Sequence, residues 1–180
     1  KIDSAKPVEA YDLTINSDGI FISAGSPAGV LWAFETLTQL PQKEANNLYL
    51  PYLTINDYPK FAWRGMMVDV ARHFIPLDIL KRNVDAMAAA KMNVLHLHLS
   101  DDEGFRIESK RFPKLHELGS EGKYFTQDQI KELVQYCTER GIMVSPEFDL
   151  PGHSQSWFAG YPELASEEKS YKPGPRFNFP

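Results

Sequence analysis

Apolar and polar residues alternate from Tyr11 to Ile15 and again from Gly19 to Ala24, on either side of Asn16-Ser17-Asp18-Gly19. A period of two marks a half-buried strand, and the short Asn- and Gly-containing turn joins the two runs, so a β-hairpin is predicted. The period then lengthens. Val30, Leu31, Phe34, Leu37 and Leu40 recur at helical spacing behind Ser26-Pro27, and Pro41 ends the run. A hairpin followed by a helix predicts a small α+β layer. Between Pro51 and Pro59, the prolines and Asn56-Asp57 read as a connector.

From Phe61 the pattern changes to strand, helix, strand, helix, strand. Met66 to Val70 is a short apolar run with one Asp inside it, and Pro76 opens a helix over Leu77 to Ala90 with Leu77, Leu80, Val84, Met87 and Ala88 on one face. Asn93 to Leu99 is the next strand. Thr126 and Gln129 have the spacing of a capping box ahead of Ile130, Leu133, Val134 and Cys137, and Arg140-Gly141 closes that helix before a strand at Ile142 to Ser145. This alternation predicts an α/β fold with a parallel sheet. The first strand-to-helix turn lacks a glycine-rich phosphate loop, which turns the reading from a nucleotide-binding sheet towards a barrel. The domain boundary falls between residues 58 and 59.

Composition adds limits. With 43% hydrophobic and 24% charged residues the chain is globular, and a net charge of -5 argues against nucleic acid as a partner. No apolar run approaches the roughly 18 residues of a membrane span. Lys1 does not open a signal peptide, so a processed or trimmed start is expected. The single cysteine, Cys137, leaves no internal disulfide framework and no zinc site of paired cysteines; its place on an apolar helix face predicts a buried thiol.

Candidate chemistry collects just past the predicted strand ends. Asp69 and Arg72 follow the first, His98, Asp101 and Asp102 the second, and Glu147, Asp149 and His153 the third. In a barrel such positions converge on one mouth. The acidic run Asp101-Asp102-Glu103 is, taken alone, a solvated loop; at a barrel mouth it can orient a histidine or accept from sugar hydroxyls. His96 and His98 share one face of their strand, a spacing that suits core imidazoles or two ligands of a metal ion. Arg72 reads either as an ion-pair partner of Asp69 or as a planar fork for adjacent hydroxyls. His153 follows Pro151-Gly152, which can aim a side chain from a loop.

Three stretches in this order resemble the family 20 glycoside hydrolases, the β-N-acetylhexosaminidases and chitobiases: Arg64 to Phe74 (RGMMVDVARHF), Lys91 to Asp102 (KMNVLHLHLSDD) and Pro146 to Ser154 (PEFDLPGHS). The resemblance implies the beginning of a (β/α)8 TIM barrel over residues 59–180, preceded over residues 1–58 by the end of a small α+β domain that includes Ser26-Pro27-Ala28-Gly29. It implies a substrate-assisted retaining hydrolysis, in which the substrate's own 2-acetamido group attacks the anomeric carbon while a Glu protonates the leaving oxygen and a neighbouring Asp orients the acetamide. That Asp-Glu pair belongs to a Gly-Gly-Asp-Glu-like motif, which this sequence lacks, so the general acid is expected beyond residue 180 and the rest of the barrel is needed. By position the resemblance assigns Arg72 to the terminal sugar's hydroxyls, Asp101 and His153 to a supporting pair beside the acid, and Asp149 and His98 to supporting roles behind them. It implies glycans ending in N-acetylglucosamine or N-acetylgalactosamine as partners, no metal or organic cofactor, and a secreted, periplasmic or lysosome-like location. A metal-dependent barrel hydrolase using His96 and His98, and a non-catalytic carbohydrate-binding protein, stay open as alternatives.

Overall fold

The computed structural model of the chain describes residues 1–167 and 169–174. These form two compact units, one of Lys1–Arg64 with Met87–Met92, the other of Gly65–Ala86 with the residues from Asn93 onwards.

In the first unit, β1 (Tyr11–Asn16) and β2 (Gly19–Ala24) make the expected hairpin, with Tyr11 opposite Ala24 and Asn16 opposite Gly19. The Asp18 amide donates to Asn16 Oδ1 at 2.9 Å, and Gly19 takes the positive φ that the turn requires. Tyr11, Leu13 and Ile15 are buried in strict alternation along β1. Helix α1 (Pro27–Gln39) starts where Ser26 Oγ accepts from the Ala28 amide. Val30, Leu31, Leu37 and Leu40 of the expected stripe pack partly buried against the core, but the deepest face is Gly29, Trp32 and Ala33, and Phe34 is 51% exposed. The cause is close approach. A Cβ on Gly29 would stand 2.6 Å from the Ala10 carbonyl oxygen, so the glycine lets the helix backbone sit directly on the segment before β1.

Two further differences concern strands. Beyond α1, β3 (Gln42–Glu44) and β4 (Asn47–Tyr49) form a small exposed hairpin that no apolar period announces. The stretch between Pro51 and Pro59 is not a connector, since β5 (Leu53–Asp57) pairs antiparallel with β1 and completes a sheet of order β2-β1-β5. Both prolines stand outside this strand, where no ladder N–H is lost, and Leu53 and Ile55 turn towards the core of Tyr11, Leu13, Ile15, Ala24, Trp32 and Ala33.

In the second unit β6 (Gly65–Asp69), β7 (Val94–Asp101) and β9 (Met143–Phe148) run parallel with β7 in the middle, and the short β8 (Gly104–Phe105) folds back on Ser100 and Asp101. The central place of β7 explains why seven of its eight residues are buried. The connecting helices are α2 (Leu77–Ala89) and α4 (Gln127–Thr138). Helix α4 opens with the expected capping box, Thr126 Oγ1 accepting from the Gln129 amide at 3.2 Å and Gln129 Oε1 from the Thr126 amide at 2.9 Å. Its Leu133 and Cys137 are fully buried. The short helices α3 (Lys114–Gly119) and α5 (Gln155–Gly160) escape sequence reading, because two turns are too few to establish a period. No helix among the described residues is long and apolar enough to cross a membrane.

Candidate active site

Strand register builds the site. Asp69 on β6 stands opposite His98 on β7, and His98 opposite Glu147 on β9, so three polar residues form one row near the carboxyl ends of parallel strands. Asp69 Oδ1 accepts from the amides of Ala71 and Arg72 at 3.0 and 2.9 Å, which bends the chain after β6. The Arg72 side chain thereby returns to the row, with Nη1 2.6 Å from Asp69 Oδ2 and Nη2 2.6 Å from Asp101 Oδ2. The ion pair with Asp69 read from the sequence is present, and the other arm of the fork reaches Asp101 as well.

Asp101 is the hub. It is 1% exposed. Its Oδ2 meets Arg72 and His98 Nε2, the latter at 2.9 Å, and its Oδ1 meets the Asp102 amide at 2.7 Å and His153 Nδ1 at 3.1 Å. Burial by itself would raise this carboxyl, but the Asp102 amide, His98, Arg72 and His153 outweigh it and hold Asp101 below the usual carboxylate range. His153 has a half-exposed side chain and a positive φ of 54°, and its bond at Nδ1 leaves Nε2 on the far edge of the ring.

His98 lies between two carboxylates, Nδ1 at 2.8 Å from Glu147 Oε2 and Nε2 at 2.9 Å from Asp101 Oδ2. Burial pulls its pKa down, yet Glu147 and Asp101 prevail and raise it above its ordinary value. Two carboxylates, one at each nitrogen, favour the protonated imidazole. Glu147 Oε2 also meets His96 Nε2 at 2.7 Å, and its hydrogen bond with His98 is the main cause that lowers its pKa. The shared face of His96 and His98 therefore serves a carboxylate. Asp149 brings its carboxylate within 4.8 Å of ligand atoms of His98, Glu147, Asp101 and His153 and makes no hydrogen bond among the described residues. Donors close enough to bridge a cation are present, but those of His98, Asp101 and Glu147 are spent on one another, which makes this an ion-pair network.

Two residues were given no role of their own in the sequence reading. Glu103 is 4% exposed, so the acidic run is not a solvated loop. Arg106, equally buried, donates to the carbonyls of Val70, Ala71, Glu103, Ser120 and Lys123, tying the segment before Arg72 to the turn after Asp101. Arg106 stands between the apolar Phe105 and Ile107, but the charges of Asp101, Asp102, Glu103 and Glu108 around it gave no signal that this one is buried.

A guanidinium, a buried carboxylate and a loop histidine gathered at the ends of parallel strands mark a candidate active site in an α/β domain. Comparison with known proteins narrows the class. Residues 61–178 match "Glycosyl hydrolase family 20, catalytic domain" and residues 2–58 match "Glycosyl hydrolase family 20, domain 2". The chain belongs to glycosyl hydrolase family 20, a TIM-barrel family. It is 40% identical over 177 residues to a β-hexosaminidase of Vibrio furnissii, covering 88% of this chain and 29% of that protein. Against a β-hexosaminidase of Akkermansia muciniphila it is 44% identical over 169 residues, covering 87% of this chain and 34% of that protein. The structure of the Flavobacterium johnsoniae chitobiase superposes with a TM-score of 0.88 at 48% identity, over 92% of this chain and 25% of that one. The β-N-acetylhexosaminidase of Bacteroides fragilis gives 0.89 at 32% identity, over 96% and 36%. The chain thus spans about a quarter to a third of the length of these relatives.

Proposed function

We propose that this chain is part of a β-N-acetylhexosaminidase that removes terminal β-linked N-acetylglucosamine or N-acetylgalactosamine from glycans outside the cytoplasm. In this reading residues 59–180 form the first strands of a (β/α)8 barrel, and residues 1–58 the end of the α+β domain before it. The observation that carries the reading is Asp101, one buried carboxylate joining Arg72 to His153. Arg72, fixed between Asp69 and Asp101, presents its remaining N–H edge to two hydroxyls of the terminal sugar. Asp101 fixes the tautomer of His153 through Nδ1, leaving Nε2 to receive a hydrogen bond from the acid that protonates the leaving oxygen. The acid and the acetamide-orienting Asp come from outside these residues, and the acetamide supplies the nucleophile.

The test uses the complete protein. Asp101→Asn keeps the shape but removes the charge that holds Arg72, His98 and His153, and kcat/KM on a chromogenic N-acetyl-β-glucosaminide is expected to fall at least about a hundredfold. Equal turnover of the β-glucoside, which lacks the acetamide, sinks the substrate-assisted reading. Activity lost on dialysis against EDTA and restored by zinc or manganese would move the assignment to the metal-dependent alternative.

A further inference from the structure

Glu103 sits in the tight turn between β7 and β8, 4% exposed, with its Oε2 buried and without a hydrogen-bond partner among the described residues. The charges around it can be named from each neighbouring element. Asp101 at the end of β7 and Asp102 in the turn precede it, Arg72 faces it from the loop after β6, and Arg106 donates to its main-chain carbonyl at 3.1 Å. Helix α5 packs on the turn through Ser156 Oγ on the Asp101 carbonyl and the Gln155 amide on Asp102 Oδ1, and Gln155–Gly160 contains no ionisable side chain. Arg72 already neutralises two carboxylates, Asp69 and Asp101. A third ionised carboxylate here would be desolvated with one oxygen unmatched, whereas a carboxyl group that keeps its proton is a modest polar burden.

We propose that Glu103 is a positioning residue of the site that remains an uncharged carboxylic acid, so that Arg72 stays divided between Asp69 and Asp101 alone. Desolvation is the largest influence on its pKa and raises it, and with the charges of Asp101 and Asp102 it outweighs the hydrogen bond from Glu103's own amide and the charge of Arg72, which lower it. Ionisation would add a competitor for the guanidinium that anchors the sugar and a second negative charge beside Asp101. The proposal depends on the hexosaminidase reading only for its kinetic readout.

In the complete protein, Glu103→Gln replaces the neutral acid with a neutral group of the same shape. A carboxyl whose folded pKa is raised gives stability that is fully present below the unfolded value and is lost as pH rises through the folded one. Relative to wild type, Glu103→Gln is therefore expected to melt about 2–4 °C higher at pH 8 and to lose that advantage at pH 4. Its alkaline limb of kcat/KM should move to higher pH. A Tm difference that is the same at pH 4 and pH 8 overturns the proposal, because the carboxyl then titrates alike in the folded and unfolded states, and so does a lower Tm confined to pH 8, because Glu103 is then charged and paired. Carbon-13 NMR of the glutamate carboxyls in wild type decides the same point if the variant does not fold. One carboxyl must titrate above 4.5, and its absence is equally decisive. The Tm pattern persisting in a protein that turns over no N-acetylhexosaminide would count against the proposed function and leave the assignment of Glu103 intact.

Discussion

A guanidinium that touches two carboxylates is set by geometry as much as by charge, and Arg72 is the case in point. Lysine keeps the charge but cannot bond Asp69 and Asp101 in a plane while offering donors to a sugar. Arg72→Lys in the complete protein is expected to lose roughly 1.5 to 3 kcal/mol of transition-state binding, about ten- to a hundredfold in kcat/KM. A near-normal value would make Arg72 an ion-pair partner only. His98 supplies a pH test. Its folded pKa is raised above 6.5, so its contribution to stability is complete below 6.5 and is lost as pH rises through the folded value. The Tm gap between wild type and His98→Asn should therefore narrow on the alkaline side, and a gap constant from pH 5 to 9 would refute a charged imidazole. The clustering of Arg72, Asp101 and His153 was legible because each lies at or beyond the end of a recognisable apolar strand. Glu103 and Arg106 were not, since burial of a charge depends on partners brought in from distant segments.

Elements with a regular period were legible for the same reason that they form: the period is the burial pattern. The β1–β2 hairpin, α2, β7 and the capped α4 fall where alternation, spacing and Thr126/Gln129 place them. The misreadings have local causes. Flanking prolines disguised β5, exposure of every residue in β3 and β4 erased any pattern, and in α1 close approach at Gly29 buries Gly29, Trp32 and Ala33 more deeply than the expected stripe. Gly29→Ala tests that account. Helix propensity alone favours alanine by about 1 kcal/mol. The new methyl would meet the Ala10 carbonyl at 2.6 Å, so a net destabilisation of about 1–3 kcal/mol is expected in chemical denaturation. A stabilised variant would show that the helix has room to withdraw.

At the level of the whole molecule, the second unit carries an apolar groove of about 270 Å³ among Leu97, Leu99, Ile130, Leu133, Val144 and Phe148. Met143 and Phe148 remain 53% and 42% exposed. A polypeptide of these 180 residues is expected to bind a hydrophobic dye or self-associate, and to hydrolyse no N-acetylhexosaminide, because orientation by Arg72 does not replace a proton donor. Turnover by the mass-verified polypeptide close to that of the complete protein would transfer the acid's role to a residue within it, Asp101 or Glu147 first.

Cys137, the one thiol of the chain, is fully buried in α4, and burial pushes its pKa up to about 11. A thiol that is neither reachable nor ionised reacts only when its surroundings part. The protein therefore carries a built-in stopwatch. The rate at which a maleimide labels Cys137 in this chain times the opening of α4 from its sheet, without a probe having to be engineered, and slower labelling when a sugar is bound would register the grip of the site on a helix that never touches it.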